Sequence, residues 1–446
     1  MSELRRSLSM FDLTMIAIGS SIGSGIFLTP GYVAKALPSP VWILAVWFVG
    51  GVMALCGALT YAELGAMMPR AGGVYVFLSE AYGGLTGFLY GWAYFLVVNT
   101  GALAALAVGF STYLGALFSL SPSGMTAAAV LGILFVTAVN VLGVKSGGIF
   151  SDVFTLLKLA GIAMILVVGF GWGSHGTIDL LAPLTTGTRG LTSGITIAFV
   201  SVLWSYGGWQ HATFTAAEAR NPQTTVPRAL IIGASVVTLA YLLTNVAYMY
   251  LLPVGTMGNS ACVASDAIVP VLGQTGGKII SLAIFISMFG TTGIYTLTAP
   301  RIYFAMANDG VFFKRVSEVH PRFHTPVFSI VIQSAWAITL IFLWGTYEKL
   351  ISYVVFADWI FFALAALSIF VFRRTNPQVV RPYKTLGYPF TPMLFILLAS
   401  LFVVYTLIEK PVESGAGLLF LGLGVPVYYF WKRRSTPSTS LRDVPS

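Results

Sequence analysis

The chain has 446 residues, of which 57% are hydrophobic and only 9% are charged, and its mean hydropathy is +0.86. A soluble domain carries far more charge, so this composition excludes a soluble enzyme or binding domain and indicates an integral membrane protein. We attribute the net charge of +9 to basic loops on one side of a membrane rather than to a surface for nucleic acid.

A helix needs about 20 apolar residues to cross a bilayer. In chain order, we predict twelve spans near residues 10–36, 41–67, 85–118, 124–143, 149–171, 191–217, 228–252, 276–306, 327–345, 349–372, 390–408 and 414–431. The connections are short, so we expect a single all-α transmembrane domain. The first span has no cleavage site of small residues, so we do not interpret it as a removed signal peptide.

Basic residues concentrate in the cytoplasmic loops of membrane proteins. Most lysines and arginines fall in alternate loops, starting with Arg5 and Arg6 before the first span, and the few on the other side are Lys35, Arg189, Lys278, Lys349 and Lys410. We therefore expect both termini in the cytoplasm. Cys56 lies in the second span and Cys262 in an outer loop, so no disulfide framework is predicted.

Two of the spans are interrupted by glycine. The segment 18–27 (IGSSIGSGIF) holds three glycines and three serines within seven residues of the first span, and the segment 204–211 (WSYGGWQH) interrupts the sixth. Five spans separate the two interruptions, and a unit of five spans that is repeated once must place its second copy upside down. The interruptions then face each other near the midplane of the membrane, as in inverted-repeat transporters. We expect repeats at about 10–171 and 191–372, two extra helices at about 390–431 and a polar tail at 432–446.

An interrupted helix leaves backbone groups free to bind a polar ligand. A half-helix that begins at the break presents N–H groups and the positive end of its dipole, which favour a carboxylate. A half-helix that ends there presents carbonyl groups, which favour an ammonium. A zwitterion satisfies both sets. Glycine-mediated helix packing is the alternative at either break alone, but two breaks five spans apart favour binding.

Six motifs carry a family resemblance: 19–27 (GSSIGSGIF), 61–64 (YAEL), 69–75 (PRAGGVY), 206–209 (YGGW), 218–222 (EARNP) and 227–229 (PRA). They resemble the signatures of the amino acid–polyamine–organocation superfamily, and most closely its L-type amino acid transporter branch with the bacterial relatives of that branch. The resemblance covers all twelve spans. It implies a five-plus-five inverted repeat with discontinuous helices 1 and 6, and amino acid transport by alternating access.

The resemblance also implies the substrate contacts, which are Ser20, Ser21, Gly23, Ser24, Gly25, Ile26, Trp204, Ser205, Tyr206 and Gly207. Ser24 and the amides around Gly25 would bind the carboxylate, and the carbonyls of residues 18–21 and of Trp204 would bind the amine. Trp204 occupies the place of an aromatic gate in this family. A packed tryptophan is the alternative at that position.

Lys158 lies nine residues into the fifth span, about 13 Å from the start of the helix at 1.5 Å per residue, which is too deep for the side chain to reach the interface. A central lysine costs about 2.5–3.5 kcal/mol to insert, so we expect it to have a role. The resemblance places it where sodium-coupled relatives of the fold hold a cation, between Gly23 or its neighbours and the segment 290–292. Transport would then need no sodium. A structural tie between the helices is the alternative.

Five further polar residues lie within or at the ends of predicted spans. Tyr241 matches a family tyrosine that supports the substrate region, or is an ordinary core tyrosine, and Asn99 lines the side-chain pocket or packs between helices. Asp358 carries a proton, orients a gate or binds a polar substrate side chain. We expect Glu63 and Glu218 to form structural pairs with arginines such as Arg70 or Arg220.

A hydrolase and a channel are the two alternatives to a carrier. The segment 19–23 (GSSIG) satisfies the Gly-x-Ser-x-Gly pattern of hydrolases, with His211 as a candidate base, which leaves an intramembrane serine hydrolase as a remote alternative because the required strand-to-helix turn is missing. A channel normally needs a symmetric pore lined by rings of carbonyls or charges. One twelve-span chain with two facing breaks suits a carrier better. We expect no catalytic residue, no metal ion and no cofactor.

For the mode of transport, L-type relatives commonly exchange one amino acid for another, and other branches use a proton. We expect sodium-independent exchange of small to medium neutral L-amino acids such as alanine, serine or threonine, with proton symport as the alternative. The loop 118–123 (FSLSPS) lacks the cysteine through which animal members attach a glycoprotein subunit. We therefore expect no disulfide-linked heavy subunit, and a location in the cell (inner) membrane.

Overall fold

The computed structural model describes residues 4–173, 190–260, 262–344, 347–409 and 411–434. Eighteen α-helices fill most of these residues: α1 Met10–Ser21, α2 Gly25–Ala36, α3 Pro40–Met67, α4 Val74–Tyr82, α5 Gly84–Ala93, α6 Asn99–Phe118, α7 Pro122–Val141, α8 Val144–Trp172, α9 Gly190–Tyr206, α10 His211–Phe214, α11 Pro222–Leu251, α12 Val254–Asn259, α13 Val263–Thr298, α14 Pro300–Asn308, α15 Val327–Trp344, α16 Tyr347–Thr375, α17 Phe390–Glu409 and α18 Pro411–Arg434.

Each of the twelve predicted spans corresponds to one helix or to a pair of consecutive helices. The pairs are α1 with α2, α5 with α6, α9 with α10 and α13 with α14, which form the first, third, sixth and eighth spans. Within the described residues, nine of the spans are long and apolar enough to cross a bilayer, judged by length and composition alone. The remaining three are α15, α16 and α18. The prediction of a twelve-helix, all-α membrane protein is therefore confirmed.

The first and sixth spans are discontinuous, as the glycine patterns predict. Residues 22–24 separate α1 from α2, and residues 207–210 form turns between α9 and α10. A capping box fixes the start of α1, because Ser9 and Asp12 each accept a hydrogen bond from the other's backbone amide. The helix α1 packs against α8, α11 and α13, and α2 packs against α9. These contacts place both breaks inside the bundle.

Some helix limits differ from the sequence prediction. The prediction misses α4 and α12, because nine and six residues are too few to give the signal of a membrane span. The eighth span begins at Val263 rather than near residue 276, and Gly273, with φ of 64°, interrupts it. The last helix continues to Arg434, so the predicted tail begins later than residue 432.

Several predicted features lie outside the described residues. These are Arg189, Lys410, the tail residues 435–446 and the side chain of Lys349.

Candidate functional site at the two helix breaks

The two breaks touch each other. The hydroxyl oxygen of Ser20 lies 2.8 Å from the carbonyl oxygen of Gly208 and 2.6 Å from that of Ile16, so its single proton is shared between these acceptors. Gly208 has φ of +115°, and a Cβ atom there would lie 2.5 Å from the carbonyl carbon of Ser20 and 2.8 Å from the amide nitrogen of Ser21. Only glycine permits both this backbone conformation and this close approach. The structure therefore brings the interrupted parts of the first and sixth spans side by side.

A second close approach joins the beginning of α2 to the end of α9. A Cβ atom on Gly25 would lie 2.6 Å from Cβ and 2.8 Å from Cα of Ser205. The hydroxyl of Ser205 lies 3.0 Å from that of Thr29. Gly25 and Ile26 open the first turn of α2, where amide groups have no acceptor within the helix and where the dipole is positive. This turn is a suitable place for an anionic group.

The carbonyl groups at the first break already accept hydrogen bonds from the protein. The oxygen of Gly19 accepts from Lys158 at 2.7 Å, and that of Ser21 accepts from Tyr241 at 2.9 Å. The oxygen of Ser20 lies 3.5 Å from the Tyr295 hydroxyl. A carbonyl oxygen has two lone pairs, so a ligand amine at these atoms would share them with the protein's own donors.

Lys158 ties the first break to two other helices. Its Nζ atom lies 2.7 Å from the carbonyl oxygens of Gly19 and Ile22 and 2.8 Å from the hydroxyl of Thr291, and the side chain is fully buried. All three ammonium protons therefore have an acceptor. Ser287 adds a hydrogen bond of 2.9 Å from α13 to the carbonyl oxygen of Gly23. The contacts that the resemblance implied between Lys158, the neighbours of Gly23 and the segment 290–292 are present.

Tyr241 links the two breaks from α11. Its hydroxyl oxygen lies 2.9 Å from the carbonyl oxygen of Ser21 and 3.0 Å from that of Ser205. A phenol has one proton, so the hydroxyl donates to one of these carbonyls at a time. The ring is fully buried and packs edge-on against Trp47 at 5.4 Å between centroids. Tyr241 therefore contacts both broken helices, and an increase in the distance between them would break one of its two contacts.

The side chain of Tyr206 is held by a hydrogen bond to the backbone of α3. Its hydroxyl donates to the carbonyl oxygen of Trp47 at 3.0 Å, and its ring lies 5.1 Å from that of Tyr241. The side chain therefore points away from the breaks and into the packed interior, which leaves its backbone as the part beside the second break.

A small cavity lies beside the breaks, between the third, sixth, eighth and tenth spans. Among the residues that line it are Asn99, Trp204, Gly207, His211 and Asp358. Its volume is about 30 Å³, which is enough for water but not for an amino acid. The helices must move apart before a larger molecule can enter.

A π-helical turn at Tyr94–Val98 places Asn99 at this cavity. Such turns widen a helix locally and often occur at functional sites. The amide nitrogen of Asn99 donates to the Gln333 side-chain oxygen at 3.0 Å, whereas its own side-chain oxygen is buried with no hydrogen-bond partner among the described residues. Asn99 therefore both ties α6 to α15 and presents an unused acceptor.

Asp358 is the acidic group of the cavity. Its Oδ1 atom is buried with no hydrogen-bond partner in the part of the chain that the structure describes. A buried carboxylate oxygen without a partner is costly, so it favours a proton, a donor from a ligand or a change of conformation. Of the three roles predicted for Asp358, an orienting contact receives no support from this oxygen, and the other two stay open.

The nucleophile and base pair of the hydrolase hypothesis is not formed. The two ring nitrogens of His211 lie 3.0 Å from the Tyr94 hydroxyl and 2.5 Å from the Thr298 hydroxyl. The hydroxyl of Ser21, the serine of the hydrolase pattern, instead donates to the carbonyl oxygen of Ala17 at 3.0 Å. His211 is a hydrogen-bonded residue of the cavity wall.

The predicted ion pair of Glu218 has a different partner. Glu218 forms two hydrogen bonds, of 2.8 and 2.9 Å, with Arg301, and both side chains are fully buried. The prediction of Arg220 as the partner is wrong, because the end of the eighth span turns Arg301 inward instead of leaving it in a loop. This pair lies just beyond α10, on the side of the breaks where the chain begins.

Glu63 also pairs with a residue distant in sequence. Arg373, at the end of α16, binds it through two nitrogens at 2.7 and 3.1 Å, and the Thr385 amide donates to it at 2.7 Å. The prediction of Arg70 is wrong, since Arg70 binds Glu80 on the surface. Sequence proximity favoured the wrong arginines, because it carries no information on which span ends meet.

Four residues of the site were not predicted from the sequence, namely Gly208 as the contact glycine, Ser287, Tyr295 and Gln333. Each is a polar or small residue inside an apolar span, which is a detectable but weak signal. Serine, threonine and glutamine are common in membrane helices, so their presence alone does not separate a site from helix packing.

Comparisons with known proteins give the family. The family model described as amino acid permease matches residues 8–426. The serine/threonine exchanger SteT of Bacillus subtilis (strain 168) is 33% identical over 95% of this chain and 96% of its own length. The human b(0,+)-type amino acid transporter 1 is 31% identical over 98% and 92%, and the mouse Asc-type amino acid transporter 1 is 29% identical over 97% and 82%.

The breadth of these matches agrees with the fold, because the family match over residues 8–426 includes both breaks and reaches into the last span. Membership implies the five-plus-five inverted repeat that the spacing of the two breaks predicts. The chain belongs to the amino acid permease family, and it is a multi-pass amino acid transporter of the amino acid–polyamine–organocation superfamily.

Proposed function

We propose that the chain is a sodium-independent exchanger of small to medium neutral L-amino acids that works by alternating access. The observation that carries the proposal is the position of Lys158, whose ammonium lies between the first break and α13 with three hydrogen bonds. A fixed positive charge that already uses the carbonyls of Gly19 and Ile22 leaves neither ligands nor favourable potential for a metal cation.

The substrate backbone would bind at the two breaks. The carboxylate accepts hydrogen bonds from Ser24 and from the first amides of α2, at Gly25 and Ile26, where the helix dipole adds attraction. The amine donates to carbonyls of the facing segments. Residues of this proposed site are Ser20, Ser21, Gly23, Ser24, Gly25, Ile26, Trp204, Ser205, Tyr206 and Gly207, of which Tyr206 contributes its backbone.

The hydrogen bonds that the carbonyls at the first break already accept make the amine site selective for a ligand that carries both charged groups. Because the carbonyls at the first break already have donors, only a ligand that also satisfies the carboxylate side gains enough to compete for the remaining lone pairs. A free amine or a free acid alone would satisfy either the carbonyls or the amides of α2 and leave the other set desolvated.

Movement is required by the size of the cavity. At about 30 Å³ it cannot admit an amino acid, and contacts between separate parts of the chain lie on two sides of the breaks. On one side Ser205 contacts Thr29, and on the other Glu218 binds Arg301. Opening either set alone would expose the site to one side of the membrane at a time, which is the requirement of alternating access.

The substrate class rests on the cavity and on the relatives. The lining of Asn99, Trp204, His211 and Asp358 leaves little space and offers hydrogen-bonding groups, which suits a short side chain with or without a hydroxyl. The names of the relatives include a serine/threonine exchanger. By this similarity we expect alanine, serine and threonine among the substrates.

A second candidate is proton-coupled symport. It is favoured by the Asp358 carboxylate, whose buried Oδ1 atom lacks a hydrogen-bond partner among the described residues. A proton bound there would neutralise the charge while the site is closed and would be released when water enters.

We also place the protein in the cell membrane with both termini in the cytoplasm, from the distribution of its basic residues. The absence of cysteine from the loop 118–123 supports function without a disulfide-linked heavy subunit.

The test is uptake of a labelled amino acid into liposomes that contain the purified protein. Exchange predicts uptake that requires unlabelled amino acid inside and is equal in sodium and choline buffers. Symport predicts uptake into empty liposomes that is driven by an inward proton gradient. Uptake that requires sodium would overturn the proposal for Lys158.

A further inference from the structure

A second and much larger cavity, with a volume of about 600 Å³, lies at the end of the bundle where the chain begins. Four separate parts of the chain form it: the segment before α1 with the first turn of α1, the turn between α7 and α8 with the first turns of α8, the loop after α10 and the loop before α15. Five basic side chains from these four parts line it, which are Arg5, Arg6, Lys145, Arg220 and Arg322. It is distinct from the substrate cavity.

These five cations have no acidic partner in the part of the chain that the structure describes. The ion pairs there involve Glu63, Glu80 and Glu218, and none of them includes a cation of this cavity. The acidic residue in the lining is Asp12, whose carboxylate accepts a hydrogen bond of 2.6 Å from the Ser9 amide at the cap of α1. The cavity therefore carries five exposed positive charges against the one negative charge of Asp12, so an anion that enters meets a net positive site.

The cavity is continuous with an apolar face that is directed toward lipid. Leu142 and Ile149 line the cavity and are exposed. Val153 and Leu156, which are exposed as well, continue from Ile149 along α8 at helical spacing of four and three residues. A molecule with a phosphate in the cavity would lay an attached hydrocarbon chain along this face.

We propose that this cavity binds the phosphate headgroup of an anionic phospholipid, with an acyl chain of that lipid lying along α8. Basic pockets between membrane helices bind such headgroups, because the charge attraction and the apolar contact act together. A soluble phosphate has the same charge but no group that uses the apolar face. The lipid is therefore the occupant that both features of the cavity favour.

Binding there would join parts of the chain that enclose the transport site. The amides of Ser7 and Leu8 donate to the Glu218 carbonyl oxygen at 2.9 Å, and the Arg220 amide donates to the Leu8 carbonyl oxygen at 2.8 Å. A headgroup held by Arg6, Arg220 and Lys145 would brace this junction against α8. Anionic lipid should therefore stabilise the closed arrangement described above.

The test compares lipid binding to the full-length protein in detergent. Phosphatidylglycerol, phosphatidylcholine or inorganic phosphate is added, bound lipid is counted by native mass spectrometry, and the melting temperature is measured. The site variant is Lys145→Gln with Arg322→Gln. The matched control is Arg374→Gln with Lys384→Gln, which removes two exposed cations outside the cavity.

We expect phosphatidylglycerol, but not phosphatidylcholine, to raise the melting temperature of the wild type and of the control. Loss of each cation should weaken binding about fivefold, so the site variant, which lacks two, should bind roughly 25-fold more weakly. If the site variant fails to fold, Arg5→Gln with Arg6→Gln, which lies before the first helix, replaces it.

Three results would overturn the proposal. One is equal weakening in the control, which would mean general surface attraction. Another is unchanged binding in the site variants. The third is an equal stabilisation by inorganic phosphate alone, which would indicate a soluble anion as the occupant.

Discussion

The hydroxyl of Ser20 and the carbonyl oxygen of Gly208 lie 2.8 Å apart although 188 residues separate them in the chain. This hydrogen bond joins the break of the first span to that of the sixth. Both spans lack helical hydrogen bonds at these places because each break supplies part of one shared polar site.

Gly208→Ala should abolish transport without preventing insertion. An alanine at φ of +115° with Cβ 2.5 Å from the Ser20 carbonyl carbon costs about 1–3 kcal/mol in backbone strain before the clash is counted. The two breaks would then separate, and uptake should fall at least about tenfold. Gly171→Ala is the control, because no atom lies within 4 Å of the Cβ position there. Equal loss in both variants would remove the contact from the mechanism.

Lys158→Met should strongly reduce uptake and leave the amount of folded protein in the membrane similar to wild type. The change keeps most of the side-chain volume but removes three hydrogen bonds to Gly19, Ile22 and Thr291. The loss of these bonds is offset in stability because the variant no longer buries a charge that costs about 2.5–3.5 kcal/mol to insert. Uptake and expression are measured together, with Lys278→Met at an exposed position as the control. Wild-type uptake in the Lys158 variant would show that the lysine is dispensable.

Tyr241→Phe tests the link between the breaks. The variant loses the hydroxyl that lies between the carbonyls of Ser21 and Ser205, a net loss of about 1 kcal/mol, so the apparent affinity should fall roughly fivefold. Tyr429→Phe removes an exposed hydroxyl and should have no effect. The comparison uses the KM and the maximal rate of exchange. An unchanged KM would assign Tyr241 to packing.

The sequence predicted the spans and the two breaks well, because these depend on local properties. Runs of apolar residues determine the helices, and the glycines at positions 23, 25, 207 and 208 mark where a helix is interrupted. The partners of buried charges were predicted poorly. Arg301 reaches Glu218 across 83 residues, and such a contact depends on how the helix ends are arranged, which no local pattern records.

The same limit applies to the candidate site. Lys158 was identifiable because a lysine in the middle of a span has a high insertion cost. Ser287, Tyr295 and Gln333 were not, because their types are ordinary in membrane helices. The distinction between Gly207 and Gly208 also needed coordinates, since a Cβ on Gly207 would be no closer than 3.5 Å to its neighbours.

Arg301→Gln should destabilise the protein far more than Arg70→Gln. The first change leaves the Glu218 carboxylate buried and unpaired, for which about 3–5 kcal/mol is typical. The second breaks a pair whose side chains are about half exposed, which is worth about 0–1 kcal/mol. Melting temperatures in detergent provide the comparison. Similar shifts in both variants would mean that the buried pair does not hold the closed arrangement together.

Asp358→Asn separates the two coupling modes. If the protein exchanges amino acids without protons, the variant should keep exchange that does not depend on the pH gradient, and only its preference among substrates should change. If a proton on Asp358 drives uptake, accumulation under a proton gradient should be lost while exchange remains. Uptake with and without the gradient, in the wild type and the variant, gives the answer.

The central claim is that the two breaks together bind both charged ends of an amino acid. Competition against labelled serine or alanine in proteoliposomes tests it most directly, with L-alanine, alanine amide and N-acetylalanine as competitors in equal concentration. We predict that L-alanine inhibits strongly, whereas either blocked form, which leaves the amides of α2 or the facing carbonyls without a charged partner, inhibits at least about tenfold more weakly. Equal inhibition by either blocked form would contradict the claim.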